Sequence, residues 1–132
     1  MQQRLFSPAN ASIHAYCRSV RGLINIDQFW SLIEASRQAN GNSYEQAIAL
    51  QQLLEPLALP EIIAFQQHLY DRLEESYRWD LWGIAYIIDG FCSDDGFEYF
   101  RAWLIGQGRE YFETALQQPE RAADRTERRE VG

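Results

Sequence analysis

Asp89, Asp94, Asp95 and Glu98 place four carboxylates in one short stretch of the chain. Oxygen ligands at that density are what a hard divalent cation takes. The stretch lacks the spacing of a calcium loop and the glycine at its sixth position. Ser93 stands directly before Asp94 and Asp95. A hydroxyl followed by acids is what the open N–H groups and positive end of a helix attract. Capping is therefore the stronger reading of these residues, and no metal ion is expected.

A second group is Arg78, Trp79, Asp80 and Trp82, with Arg101 and Arg109 further on. A guanidinium fork beside aromatic walls can receive a carboxylate or a phosphate. The plainer alternative puts Trp79 and Trp82 in the core and lets Arg78 and Asp80 bridge a helix junction; it is slightly the stronger. The candidate ligand- or partner-binding residues are thus Arg78, Trp79, Asp80, Asp94, Asp95, Glu98, Arg101 and Arg109.

Other chemistries lack their residues. His14 and His68 have no metal-ligand spacing, and a structural role for His68 outweighs a ligand role. There is no nucleophile elbow, P-loop, dinucleotide fingerprint or zinc-protease motif. Gly106-Gln107-Gly108 precedes a helical pattern but lacks the third glycine and the strand of a phosphate cradle, so it reads as a joint between helices. Cys17 and Cys92 fit neither a disulfide framework nor a zinc site and read as free thiols in a reducing compartment. No catalytic residue and no cofactor is expected.

The elements that must hold these residues read as helices. Ile26, Phe29, Trp30 and Ile33 form one stripe of a first helix, expected to end near Asn40-Gly41. Ser43 with Gln46 suggests a capping box for a second helix that stops before Pro56. Pro60 suits a first helical position, and Ile62, Phe65, Leu69 and Leu73 stripe a third helix to Ser76. Trp79-Asp80-Leu81-Trp82 leads into Gly83 to Ile88, an apolar run that fits a buried short helix or a strand. No second strand pattern exists to pair with it, so it reads as helix, broken at Asp89-Gly90. Ser93 caps a fifth helix carrying Phe97, Phe100, Trp103 and Leu104, and Arg109 to Leu116 forms the last before Pro119. The stripes predict an all-α bundle of five to six short helices, with Trp30, Phe65, Leu69, Trp82, Ile88, Phe100 and Leu104 in one core.

The chain has 132 residues, a single-domain length, and 46 % apolar residues, which suffices for a core. Its net charge of −7 excludes a generally basic nucleic-acid binder. The charge is unevenly spread. Residues 1–24 carry three Arg and no acid, residues 25–119 carry five Arg against fifteen acids, and residues 120–132 carry four of each. The expected organisation is a disordered basic leader over 1–24, an acidic helical domain over 25–119 and a frayed charged tail over 120–132. No run is long enough for a membrane span, and no signal peptide is visible, so the expected compartment is the cytoplasm.

Asp27-Gln28-Phe29-Trp30, Tyr77-Arg78-Trp79-Asp80-Leu81-Trp82 and the block from Cys92 to Arg101, with Trp103-Leu104-Ile105 and Gln107-Gly108-Arg109, resemble the bacterial domain-of-unknown-function family 4240. The resemblance spans about residues 25–119, with the Arg/Glu tail standing where other members carry a further aromatic-containing helix. It implies no activity and no catalytic residue.

Abundant Trp, Tyr and Arg on an acidic body predict a protein-interaction module whose partner is another protein, a basic one being what the charge would suit, with neither nucleic acid nor membrane bound directly. The alternative is a small ligand-binding domain or enzyme using Asp94, Asp95 and Glu98 with Arg78 or Arg101.

Overall fold

The computed structural model describes residues 20–37 and 41–124. Among them are six α-helices, no strand, and a 3-10 turn at each end, Arg21–Leu23 and Pro119–Ala122. The helices are α1 (Ile26–Ala35), α2 (Ser43–Leu54), α3 (Leu59–Glu75), α4 (Trp79–Asp89), α5 (Asp94–Gly106) and α6 (Arg109–Gln117). The all-α expectation holds, and the Trp79–Ile88 run is helical.

Helix α5 is the hub, packing against each of the other five. It buries Phe97, Phe100, Leu104 and Ile105, and Phe29, Trp30 and Phe112 meet them from α1 and α6. Of the expected core, Trp30, Phe65, Phe100 and Leu104 are buried, while Leu69, Trp82 and Ile88 pack partly buried against the same cluster. The most deeply buried large side chains are Phe29, Phe97 and Phe112.

The helix ends follow local chemistry, with shifts of register. Asn25 and Gln28 form a full capping box on α1, their side chains each accepting at 2.8 Å from the other's backbone N–H. Helix α1 stops at Ala35, short of Asn40-Gly41, because the Ser36 hydroxyl donates back to the Ile33 carbonyl and closes the last turn. Asn40 itself lies outside the described residues. The cap of α2 is Asn42, whose side chain accepts from the Glu45 N–H, and Ser43 is the first helical residue. Gln46 is thereby released for a distant contact: its Nε2 donates to the Gly106 carbonyl at 2.9 Å and to Ser36 Oγ at 3.2 Å. Pro60 is the second residue of α3, and Glu61 accepts from the Ala58 N–H.

The packed unit reaches past the expected domain edges at both ends. Val20 and Ile24 are buried, the turn between them lies on α3, and His68 Nε2 donates to the Ile24 carbonyl at 2.5 Å. That acceptor is a carbonyl, so the His68 proton sits on Nε2. At the other end Ala122 is fully buried, and the Tyr111 hydroxyl lies 3.1 Å from the Arg121 and Ala122 carbonyls. The final 3-10 turn bridges α6 and α4. An alanine gives no hydrophobic stripe, which is why the sequence marks this turn only as charged tail. The rest of the leader, with His14 and Cys17, and residues 125–132 lie outside the described residues.

Candidate functional site

The link between α3 and α4 is only three residues, Ser76, Tyr77 and Arg78. Arg78 is extended there, and its guanidinium turns onto the first turn of α4, where Nε meets Asp80 Oδ1 at 3.1 Å and Nη2 meets Oδ2 at 2.6 Å. That two-point bond holds the Asp80 carboxyl below the usual carboxylate range and raises the Arg78 pKa further. The fork expected to receive a ligand thus closes on its own neighbour, as the bridging alternative had it.

Trp79 departs from the core expectation. It is 85 % exposed. Its ring stacks on Trp82 at 5.5 Å and 13°, and Trp82 stacks on Phe97 at 4.8 Å and 16°. Phe97 is fully buried, and Phe100 and Trp103 continue the series along α5 to a partly buried ring. The half-buried Trp82 indole donates to the Cys92 carbonyl at 2.9 Å, which fixes the rim of the stack to the α4–α5 link. Burial, with Asp89 adding to it, pushes the Cys92 thiol up, so it is a poor nucleophile.

Asp94 and Arg101 join this group through Tyr77. The Tyr77 hydroxyl donates to Asp94 Oδ1 at 2.9 Å, and that bond raises the phenol pKa. Tyr77 also packs edge-on against Trp82. The Arg101 guanidinium lies over both the Tyr77 and Phe97 rings, 4.6 Å and 4.8 Å from their centres, where the two tilted rings meet. Its Nη1 donates to the Leu73 carbonyl in the last turn of α3 at 2.6 Å, which places a cation at the negative end of that helix.

Ser93 accepts from the Gly96 N–H at 3.1 Å, with Asp94 and Asp95 in the first turn of α5, as the capping reading requires. Among the described residues no three His, Cys, Asp or Glu side chains are grouped to hold a metal ion. Asp95 and Glu98 stand exposed on α5.

Arg109 belongs elsewhere. It pairs with Asp27 at 2.7 Å and Glu113 at 3.1 Å, and its backbone N–H meets Glu34 Oε2 at 3.3 Å. Gly108, at φ +103°, makes the joint expected of Gly106-Gln107-Gly108, and the Glu34 carboxylate occupies the helix end where a phosphate cradle would hold its ligand. Beside it opens a cleft of about 310 Å³ lined by Glu34, Arg37, Arg109, Tyr111, Arg121 and Asp124. With Glu110 also on its wall, three arginines face three carboxylates.

The residues that sequence reasoning missed lie on α4. Leu81 and Ala85 face the core, with Ile84 and Ile88 partly buried beside them. On the opposite side Tyr86 is 50 % exposed and Ile87 77 %, and Phe91 beyond the helix end is 69 % exposed. A helix apolar all round is either enclosed or lacks a cover on one side. The signal was present in the run Leu81 to Ile88, but it was read as burial.

The fold and this surface define a small all-α domain in which, among the described residues, the outer side of α4 is apolar and uncovered. The chain belongs to the family described as "Protein of unknown function (DUF4240)", which matches residues 24–131. The match runs through the charged tail, further than the resemblance over 25–119. No curated protein and no solved structure matches the chain. Among the described residues no helix is long and apolar enough to cross a membrane.

Proposed function

We propose that this domain is a protein-interaction module and that the outer side of α4 is its contact surface. The observation that carries the reading is the contiguous exposure of Trp79, Tyr86, Ile87 and Phe91 on and just after one helix. Large aromatic and aliphatic side chains held in water cost solvation free energy, and such a patch marks an interaction site. Trp and Tyr are also the residues that dominate interface energetics. The stack beneath Trp79 holds it rigid, so little side-chain entropy is lost when a partner covers it.

The ligand-binding or enzymatic alternative has less support. Arg78 is engaged by Asp80 and Arg101 by the Leu73 carbonyl, so neither faces Asp95 or Glu98 as an acid–base or anion-binding partner would. The test is site-specific photo-cross-linking in the native cell. A photoreactive residue at Ile87 is expected to capture a discrete protein that the same residue at Tyr44, exposed on α2, does not. Equal capture from both positions, or none from Ile87, would remove the assignment.

A further inference from the structure

Gly83 sits in the middle of α4, flanked along the exposed side by Trp79 one turn before and Ile87 one turn after. Glycine inside a helix destabilises it relative to alanine, so its presence needs a reason. Nothing among the described residues supplies one. Its φ is not positive, and a Cβ built on it meets no atom within 4 Å. An alanine would fit the domain and strengthen the helix. The missing side chain instead leaves a notch between two bulky residues, where another backbone can come close.

The stretch of chain that carries that notch is acidic. From Tyr77 to Phe100 the chain carries one Arg, Arg78, against five acids, Asp80, Asp89, Asp94, Asp95 and Glu98. Arg78 is neutralised by Asp80. Two copies of such a surface would repel one another, whereas a cationic partner would be attracted and steered.

Resting on the interaction-module reading, we infer that the occupant is a basic amphipathic helix of a partner protein, crossing α4 at Gly83. Its apolar stripe lies between Trp79 and the Tyr86–Ile87 pair, and its Lys and Arg side chains face Asp89, Asp94 and Asp95. This is the helix-on-helix form of peptide recognition, with glycine permitting the close crossing.

The test uses the full chain and two labelled helical peptides of roughly 18 residues, alike in a Leu/Ala stripe and differing in carrying Arg or Glu on the other face, followed by fluorescence anisotropy. The Arg peptide is expected to bind, more weakly as salt rises. Gly83→Leu, which fills the notch from an open Cβ position, and Ile87→Asp should each weaken it roughly tenfold. Tyr70→Ala, on α3, should leave binding unchanged. Gly83→Ala should raise the melting temperature, which separates loss of the notch from loss of the fold.

Equal binding of both peptides would overturn the cationic helix but leave an apolar contact surface. Binding of the Arg peptide that ignores Gly83→Leu and Ile87→Asp would overturn the placement. If neither peptide binds but the chain self-associates and Ile87→Asp restores the monomer, the occupant is a second copy, and only the basic helix is overturned. Absence of both peptide binding and self-association would overturn the inference and the module reading together.

Discussion

Arg101 holds its guanidinium 4.6 Å from the centre of the Tyr77 ring and joins α5 to the last turn of α3 through the Leu73 carbonyl. The residue is 7 % exposed, and among the described residues no carboxylate pairs with it. Two aromatic faces and a helix C-terminus take the place of a counter-ion.

Arg101→Met should therefore destabilise the domain by about 2–4 kcal/mol, from one charge-assisted hydrogen bond and two ring contacts. Arg101→Lys should recover little, because a compact ammonium cannot lie flat over both rings while reaching the Leu73 carbonyl. Urea denaturation of the two variants checks this; a near-native midpoint for Arg101→Lys would mean that charge alone suffices.

Gln46 ties α2 to the C-terminal end of α5 across sixty positions of sequence. Gln46→Ala should cost about 0.5–1.5 kcal/mol. Gln46→Glu should cost more, since a carboxylate would face the Gly106 carbonyl without a proton to donate. Thermal unfolding at neutral pH compares them, and equal stabilities would count against the donor role.

Ser93→Ala removes the side chain that caps α5 and should cost about 0.5–2 kcal/mol. Asp95→Asn should be mild, and magnesium, calcium or manganese should leave the melting temperature unchanged. A metal-induced rise that Asp95→Asn abolishes would replace the cap by a ligand role.

Two glycines of α4 should respond in opposite directions. Gly83→Ala should stabilise by about 0.5–1 kcal/mol. Gly90→Ala should destabilise by about 1–2 kcal/mol, because Gly90 ends the helix at φ +77°, where a Cβ crowds the carbonyl. Paired melting curves read both signs at once.

The Arg78–Asp80 bond sets a weak acid dependence. The folded Asp80 pKa lies below that of the unfolded chain, chiefly through the Arg78 hydrogen bonds. Its stabilisation is complete above the unfolded value of about 4 and is lost as pH falls through the folded one. Both groups are substantially exposed, so the loss should stay within about 1 kcal/mol. Asp80→Asn should remove that part of the acid slope between pH 5 and pH 2 and leave the remainder.

The helices were legible in the sequence because their signals are local. The stripe of Ile26, Phe29, Trp30 and Ile33, the hydroxyl of Ser93 before two acids, and Asp89-Gly90 as a stop each act within a turn or two of backbone. Pairing between near neighbours was legible for the same reason: Arg78 and Asp80 stand two residues apart, and their bridge follows from the short link that presents them. Membership of the family was legible in the aromatic blocks, although its reach into the tail was not.

Tertiary packing decided the rest. Hydrophobicity states that Trp79, Tyr86, Ile87 and Phe91 favour an apolar environment, but not whether this chain has enough surface to provide one. Helix α5 covers only one side of α4, so these residues face water and the notch at Gly83 stays open. Likewise the burial of Ile24 and Ala122, the contact from Gln46 to Gly106 and the seat of Arg101 over the Tyr77 and Phe97 rings each require elements distant in sequence to meet. Residue type and spacing set the elements, because those forces act along the backbone; which face stays uncovered is a balance of surface between elements, and that exists only once they are assembled.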